Sequence, residues 1–185
     1  MIRFFGGRVM TLANGIETQD IEVWTEGSKI VFVGKPKAEE LDGKVFEREY
    51  DLKGNLLMPS FKNAHTHSAM TFLRSYADDM PLQDWLFKQI FPMEAKLDGE
   101  KVYWLTKLAI LEYLTTGCTA AFDMYFELDD YVKACIESGF RSVLCGAVSG
   151  DKSNLERLEN NYLKYNGKDP LISFMPVSYT HLTLP

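Results

Sequence analysis

The sequence contains no run of about 18 consecutive apolar residues, which excludes a membrane-spanning helix. Its opening stretch, MIRFFGGRVMTLANG, lacks the apolar core and small-residue cleavage site of a secretory signal. Cysteine is scarce: Cys118, Cys135 and Cys145 form no Cys-x-x-Cys pair, so no disulfide framework is implied and a reducing, cytoplasmic setting is expected. There is no basic surplus, because 20 Lys and Arg stand against 26 Asp and Glu and the cations are scattered. Neither nucleic acid nor a membrane surface is therefore an expected partner. Internal repeats and low-complexity segments are absent. Histidine is limited to His65, His67 and His181, so any histidine-rich metal site must be short of ligands.

Apolar residues, by contrast, are plentiful. They make up 46% of the 185 residues, enough for a globular core. The last nine residues, VSYTHLTLP, read codon for codon as the transposon-end adapter used in shotgun sequencing libraries. Residues 177–185 are accordingly treated as an adapter artefact and set aside from fold reasoning, and His181 with them.

Residues 1–55 read as a strand-rich unit. Ile2 to Leu12, Ile21 to Thr25 and Lys29 to Val33 are β-prone, and Asn14-Gly15 and Gly27-Ser28 mark turns. The charged stretches from Lys35 to Glu40 and from Asp42 to Glu49 read as surface loops. From residue 56 to 176 the rhythm changes. Helices are expected over 81–92, 100–116, 128–138 and 155–165. Strands are expected near His65, at 119–125, at 141–148 and from Leu171. Strands alternating with helices imply a parallel sheet, either doubly wound and open or a (β/α)₈ barrel. About 120 residues hold three βα units and a fourth strand, so a barrel would be truncated near its fourth strand.

His65-Thr66-His67 ends the first of these strands. Residues i and i+2 of a strand share a face about 7 Å apart, so both imidazoles can converge on one metal. Alone the pair is a weak signal, since two strand-end histidines bound to water and backbone would look the same. Asp78 and Asp79, just before Met80-Pro81, read as the acidic start of a helix rather than as a catalytic pair. Asp123 ends the second strand, either supporting the histidines or buried in a local hydrogen-bond network.

Context sharpens the histidine pair. The stretch Met58-Pro59-Ser60-Phe61-Lys62-Asn63-Ala64-His65-Thr66-His67 through Met70-Thr71-Phe72-Leu73-Arg74 to Asp78 resembles the first metal strand of the amidohydrolase superfamily. It is most similar to the S-adenosylhomocysteine and 5′-methylthioadenosine deaminase branch, which reads PGxxNxHTHxxMTLLRGxAxD. Leu82-Gln83-Asp84-Trp85-Leu86, Phe91-Pro92-Met93-Glu94 and Asp123-Met124-Tyr125-Phe126 match the same branch. Ser60 stands where Gly is usual, and Ser68 and Phe72 are mild departures.

The resemblance implies an α/β fold: a small β-sandwich segment followed by the N-terminal part of a (β/α)₈ TIM barrel. It implies one divalent metal, usually zinc, held here by His65 and His67. Activated water at that metal would attack C6 of the purine of a small nucleoside and release ammonia. The third histidine, the Glu and His that move protons, and the Asp ligand would all lie beyond residue 176. The chain is thus expected to be inactive by itself, as the N-terminal piece of a deaminase whose full length leaves a homo-oligomer open. By the same resemblance Glu94 would accept the ribose hydroxyls, Trp85 would wall the base, and Arg157 would meet the distal group. A further arginine late in the third strand, carried by members that bind a homocysteine carboxylate, is missing from Val143-Leu144-Cys145-Gly146-Ala147. That absence puts S-adenosylhomocysteine in doubt as the substrate. Another hydrolase of the superfamily, chlorohydrolase-like or guanine-deaminase-like, is the alternative, as is a fragment without catalytic function.

Overall fold

A computed structural model describes residues 1–13, 15–147 and 152–177. Asn14 of the first expected turn, residues 178–185 of the tail and His181 lie outside the described residues. The chain divides into two compact units, Met1–Pro59 and Ser60–Pro185.

The first unit holds two small mixed sheets. In one, β1 (Ile2–Phe5) lies between antiparallel β4 (Glu22–Glu26) and parallel β6 (Arg48–Asp51), with β5 (Lys29–Gly34) on the outer side of β4. In the other, β2 (Arg8–Met10) lies between β3 (Thr18–Gln19) and β7 (Leu56–Leu57). The expected single run from Ile2 to Leu12 is therefore two strands in two sheets. The break falls at Gly6, whose φ of +69° suits glycine and whose Cβ, if present, would sit 2.3 Å from Asp51 Oδ1. The charged segment read as loop contains a short helix, α1 (Ala38–Leu41), and leads into β6. All four residues of β6 are exposed, so the strand shows no apolar alternation that a sequence pattern could register.

The second unit is a parallel sheet in chain order: β8 (Phe61–Thr66), β9 (Cys118–Asp123), β10 (Arg141–Ala147) and β11 (Ile172–Val177). Helix α4 (Gly99–Thr115) joins β8 to β9, α5 (Leu128–Glu137) joins β9 to β10, and α6 (Lys152–Tyr165) joins β10 to β11. This is the opening part of a (β/α)₈ barrel. Asp98 caps α4, its carboxylate accepting the Lys101 backbone N–H at 3.0 Å. Gly117, with φ +83°, turns the chain from α4 into β9. Val102, Ile110, Ala121, Tyr131, Phe140 and Leu144 form the centre of one buried cluster between sheet and helices.

Between β8 and α4 the chain is less regular. A 3-10 helical segment, Ser68–Leu73, follows β8 directly and has no counterpart among the expected elements. The helix expected near 81–92 is a composite of α2 (Leu82–Asp84), a π-helical stretch Trp85–Ile90 and α3 (Phe91–Glu94). Pro92 has no N–H to give to the Lys88 carbonyl four residues back, which is where the wider turn sits. Asp78 and Asp79 do not cap this helix as expected. Pro81 occupies the cap position, and Asp79 adopts a left-handed φ of +56°.

One ion-pair cluster pins the first unit. Arg3 donates from Nε and Nη2 to the two oxygens of Glu22, at 2.7 and 2.6 Å, and from Nη1 to Glu49 at 2.8 Å. Trp24 Nε1–H donates to Glu22 as well, at 2.9 Å. Arg3 above all, assisted by Trp24, lowers the Glu22 pKa against the opposing effect of burial. A glutamate whose pKa is lowered on folding stabilises the fold above its unfolded value of about 4.3, and that contribution fades as pH falls toward the folded value. The thermal midpoint, followed by tryptophan fluorescence, is expected to fall as pH drops from 5 to 3. Arg3→Met should flatten that slope and lower stability at pH 7 by about 2 kcal/mol. An unaltered slope would show that the cluster contributes nothing.

Candidate active site

His65 and His67 stand at the C-terminal end of β8, the end at which barrels of this kind carry their chemistry. The strand stops at Thr66. His67 lies one residue beyond it, with φ −129° and ψ 77°, and opens the 3-10 segment. The two rings nevertheless approach edge to face, 5.2 Å between centroids. His65 is exposed and His67 half-buried.

The orientation of His67 has a specific cause. Its Nδ1 lies 2.7 Å from the carbonyl oxygen of Met124, just past β9. A carbonyl can only accept, so Nδ1 carries a proton and, in the neutral ring, Nε2 is the atom with the free lone pair. An imidazole fixed in this tautomer by a backbone carbonyl is the usual state of a metal-binding histidine. Two rings so placed could supply two ligands to a divalent metal. No group of three or more His, Cys, Asp or Glu that could hold a metal occurs among the described residues.

Three further groups hold this segment. Asp123 is 1% exposed, and both its oxygens lie 3.2 Å from the Ser68 backbone N–H. Burial raises its pKa, while Ser68 and Tyr131 partly offset the effect. Asp123 thus supports the residue after His67 and is also part of a local network, so the two readings of its sequence position merge. Tyr113 of α4 places its hydroxyl 2.6 Å from Thr66 Oγ1 and 3.0 Å from Ser68 Oγ, flanking His67 on both sides. Met124 holds His67 through its backbone carbonyl, which no side-chain pattern could have disclosed. Tyr113 was discoverable only as a polar-tipped member of the buried α4 stripe that includes Val102, Thr106, Ala109 and Ile110.

Of the substrate residues expected from sequence, Glu94 is drawn to this group. It is half-buried at the end of α3. Burial raises its pKa, and the Tyr125 hydroxyl and the charge of His67 act in the opposite direction. Arg157, exposed on α6, lines a cleft of about 450 Å³ together with Met124, Tyr125, Gly146 and Asn161. The cleft opens at the C-terminal ends of β9 and β10. Trp85 is half-buried and gives its indole N–H to the Ala77 carbonyl at 3.1 Å, which anchors the π-helical stretch to the preceding loop. Cys145 also borders the cleft, but burial pushes its thiol up to about 12, so it is no nucleophile at neutral pH.

Comparison with known proteins agrees with this fold. The model of the amidohydrolase family matches residues 56–169, and the chain belongs to that family. Among curated relatives, a 5-methylthioadenosine/S-adenosylhomocysteine deaminase of Desulfitobacterium hafniense is 43% identical over 136 residues, covering 74% of this chain and 31% of its own length. A 5′-deoxyadenosine deaminase of Methanospirillum hungatei is 52% identical over 108 residues, covering 57% of this chain and 24% of its own. Among solved structures, an adenosine deaminase from Xanthomonas campestris with bound zinc superposes with a TM-score of 0.83 at 30% identity. It covers 96% of this chain and 42% of its own. A guanine deaminase from C. acetobutylicum, at TM-score 0.78 and 18% identity, shares the fold. The chain thus spans less than half the length of these relatives.

Tyr113→Phe removes the hydroxyl that joins Thr66 to Ser68 and keeps the ring. It is expected to lower stability by about 1–2 kcal/mol in denaturant titration. A loss below 0.3 kcal/mol would show that the two hydroxyls flanking His67 do not depend on it.

Proposed function

We propose that this chain is the N-terminal part of a zinc-dependent deaminase of the cytoplasm that acts on a small adenosine derivative. The observation that carries the reading is the histidine pair at the barrel end of β8, with His67 fixed by the Met124 carbonyl and Glu94 beside it. The names of the relatives give the direction of the substrate assignment.

In this reading His65 and His67 hold one divalent metal, which when bound supplies activated water for hydrolytic loss of the purine amino group. The remaining steps belong to the chain's own residues. Met124 keeps the His67 ring oriented, so that Nε2 would be available to hold the metal. Asp123 and Tyr113 hold the backbone on either side of His67. Glu94 accepts hydrogen bonds from the two vicinal ribose hydroxyls, which a carboxylate with about four lone-pair sites can do at once. Trp85 offers an apolar wall to the base. Arg157 borders the cleft that takes the 5′ substituent. The run Val143–Gly146 of β10 brings no arginine to that cleft. This favours a neutral 5′ substituent over the charged homocysteine of S-adenosylhomocysteine.

The test is ammonia release by the full-length, zinc-loaded protein on a panel of substrates. 5′-Deoxyadenosine and 5′-methylthioadenosine are expected to be deaminated at least tenfold more efficiently, in kcat/KM, than S-adenosylhomocysteine. Release of ammonia from guanine only, or of chloride from a chlorotriazine, would replace this reading with one of its rivals.

A further inference from the structure

We propose that Tyr125 is a positioning residue for the ribose: its hydroxyl donates to the Glu94 carboxylate and holds it toward the sugar. The inference rests on the assignment of Glu94 as the ribose-binding group. Its starting point is an anomaly. The Tyr125 hydroxyl oxygen is fully shielded from solvent and has no partner at ordinary hydrogen-bond geometry. A buried hydroxyl left in that state is costly, so its retention calls for a partner.

Glu94 is that partner. The hydroxyl already acts on the Glu94 carboxylate, which is also the charge acting most strongly on the Tyr125 phenol. The phenol itself has little freedom. Its ring stacks on Phe126 at 4.4 Å with 21° between planes. The carbonyl of the preceding residue, Met124, is held by His67. Two residues on, Glu127 turns the chain with a φ of +50°, a conformation that a non-glycine residue adopts rarely. A donor with little freedom therefore lies within electrostatic reach of a carboxylate at the end of an irregular helical segment. One donated hydrogen bond occupies one lone-pair site of Glu94 and leaves enough for both ribose hydroxyls. Because Met124 and Tyr125 are consecutive, the group that sets the His67 tautomer and the group that aims Glu94 move as one unit. The distance from sugar to metal side is thereby set by a single peptide.

The experiment compares wild type with Tyr125→Phe in the full-length, zinc-loaded protein, on adenosine and on 2′,3′-dideoxyadenosine. Tyr125→Phe should raise KM for adenosine about tenfold while kcat changes less than threefold. The same substitution should raise KM less than twofold for the dideoxy substrate, and also for adenosine in a Glu94→Gln background. Removing an unpartnered hydroxyl should leave the thermal midpoint within a few degrees, so loss of folding is not expected to mask the result. Equal losses on both substrates, or equal losses with and without Glu94→Gln, would overturn the inference and reduce Tyr125 to a packing residue. An unaltered KM for adenosine would do the same. If wild type deaminates no adenosine derivative, the functional reading falls and this inference with it, whereas an active wild type with an insensitive variant sinks this inference alone.

Discussion

The site depends on the parallel pairing of β8 with β9. That pairing puts the end of one strand, Thr66, opposite the end of the other, Asp123. Three links then close across the gap: Met124 N–H to the Thr66 carbonyl at 3.2 Å, Ser68 N–H to Asp123, and His67 Nδ1–H to the Met124 carbonyl at 2.7 Å. Two of the three involve backbone alone or backbone with a buried carboxylate. His67 is thus oriented largely by main chain, which cannot change rotamer. Slippage of β9 by one residue would break all three links and turn Asp123 toward the other face of the sheet.

Burial is graded across the same region. Asp123 and Ser68 lie inside the fold, His67 and Glu94 are half-buried, and His65 is exposed. The interior members are structural anchors, because a group almost without solvent contact can orient neighbours but cannot meet a ligand. The half-buried members can do both. Glu94 illustrates the balance: burial raises its pKa, while Tyr125 and His67 favour the charged form.

Much of the second unit was legible in the sequence. The alternation of apolar strand runs with helical periodicity gave β9, α5, β10 and α6 to within a few residues. Gly117 and Gly139 marked the helix ends correctly, both with positive φ. What stayed hidden has physical reasons. β6 is exposed on every residue and belongs to the sheet only through backbone pairing with β1. The split of Ile2 to Leu12 hinges on crowding at Gly6, a long-range property. The 3-10 segment after His67 follows from tertiary bonds to Asp123 and Tyr113 rather than from local propensity. At the candidate site, the His65–His67 spacing was a weak signal by itself, and it and Glu94 were singled out through the resemblance to known deaminases. The Met124 carbonyl was invisible because any residue could provide it. Tyr113 was marked by no sequence pattern, and Tyr125 only as part of the Asp123–Phe126 match.

The account turns on whether the fixed pair, His65 and His67, holds the metal. The most direct measurement is a crystal structure of the full-length protein with zinc, phased at the zinc absorption edge. A zinc ion about 2.1 Å from a ring nitrogen of each histidine, with His67 Nδ1 still on the Met124 carbonyl, is the result predicted. Zinc bound elsewhere, or bound through His67 Nδ1 with the Met124 bond broken, would contradict it.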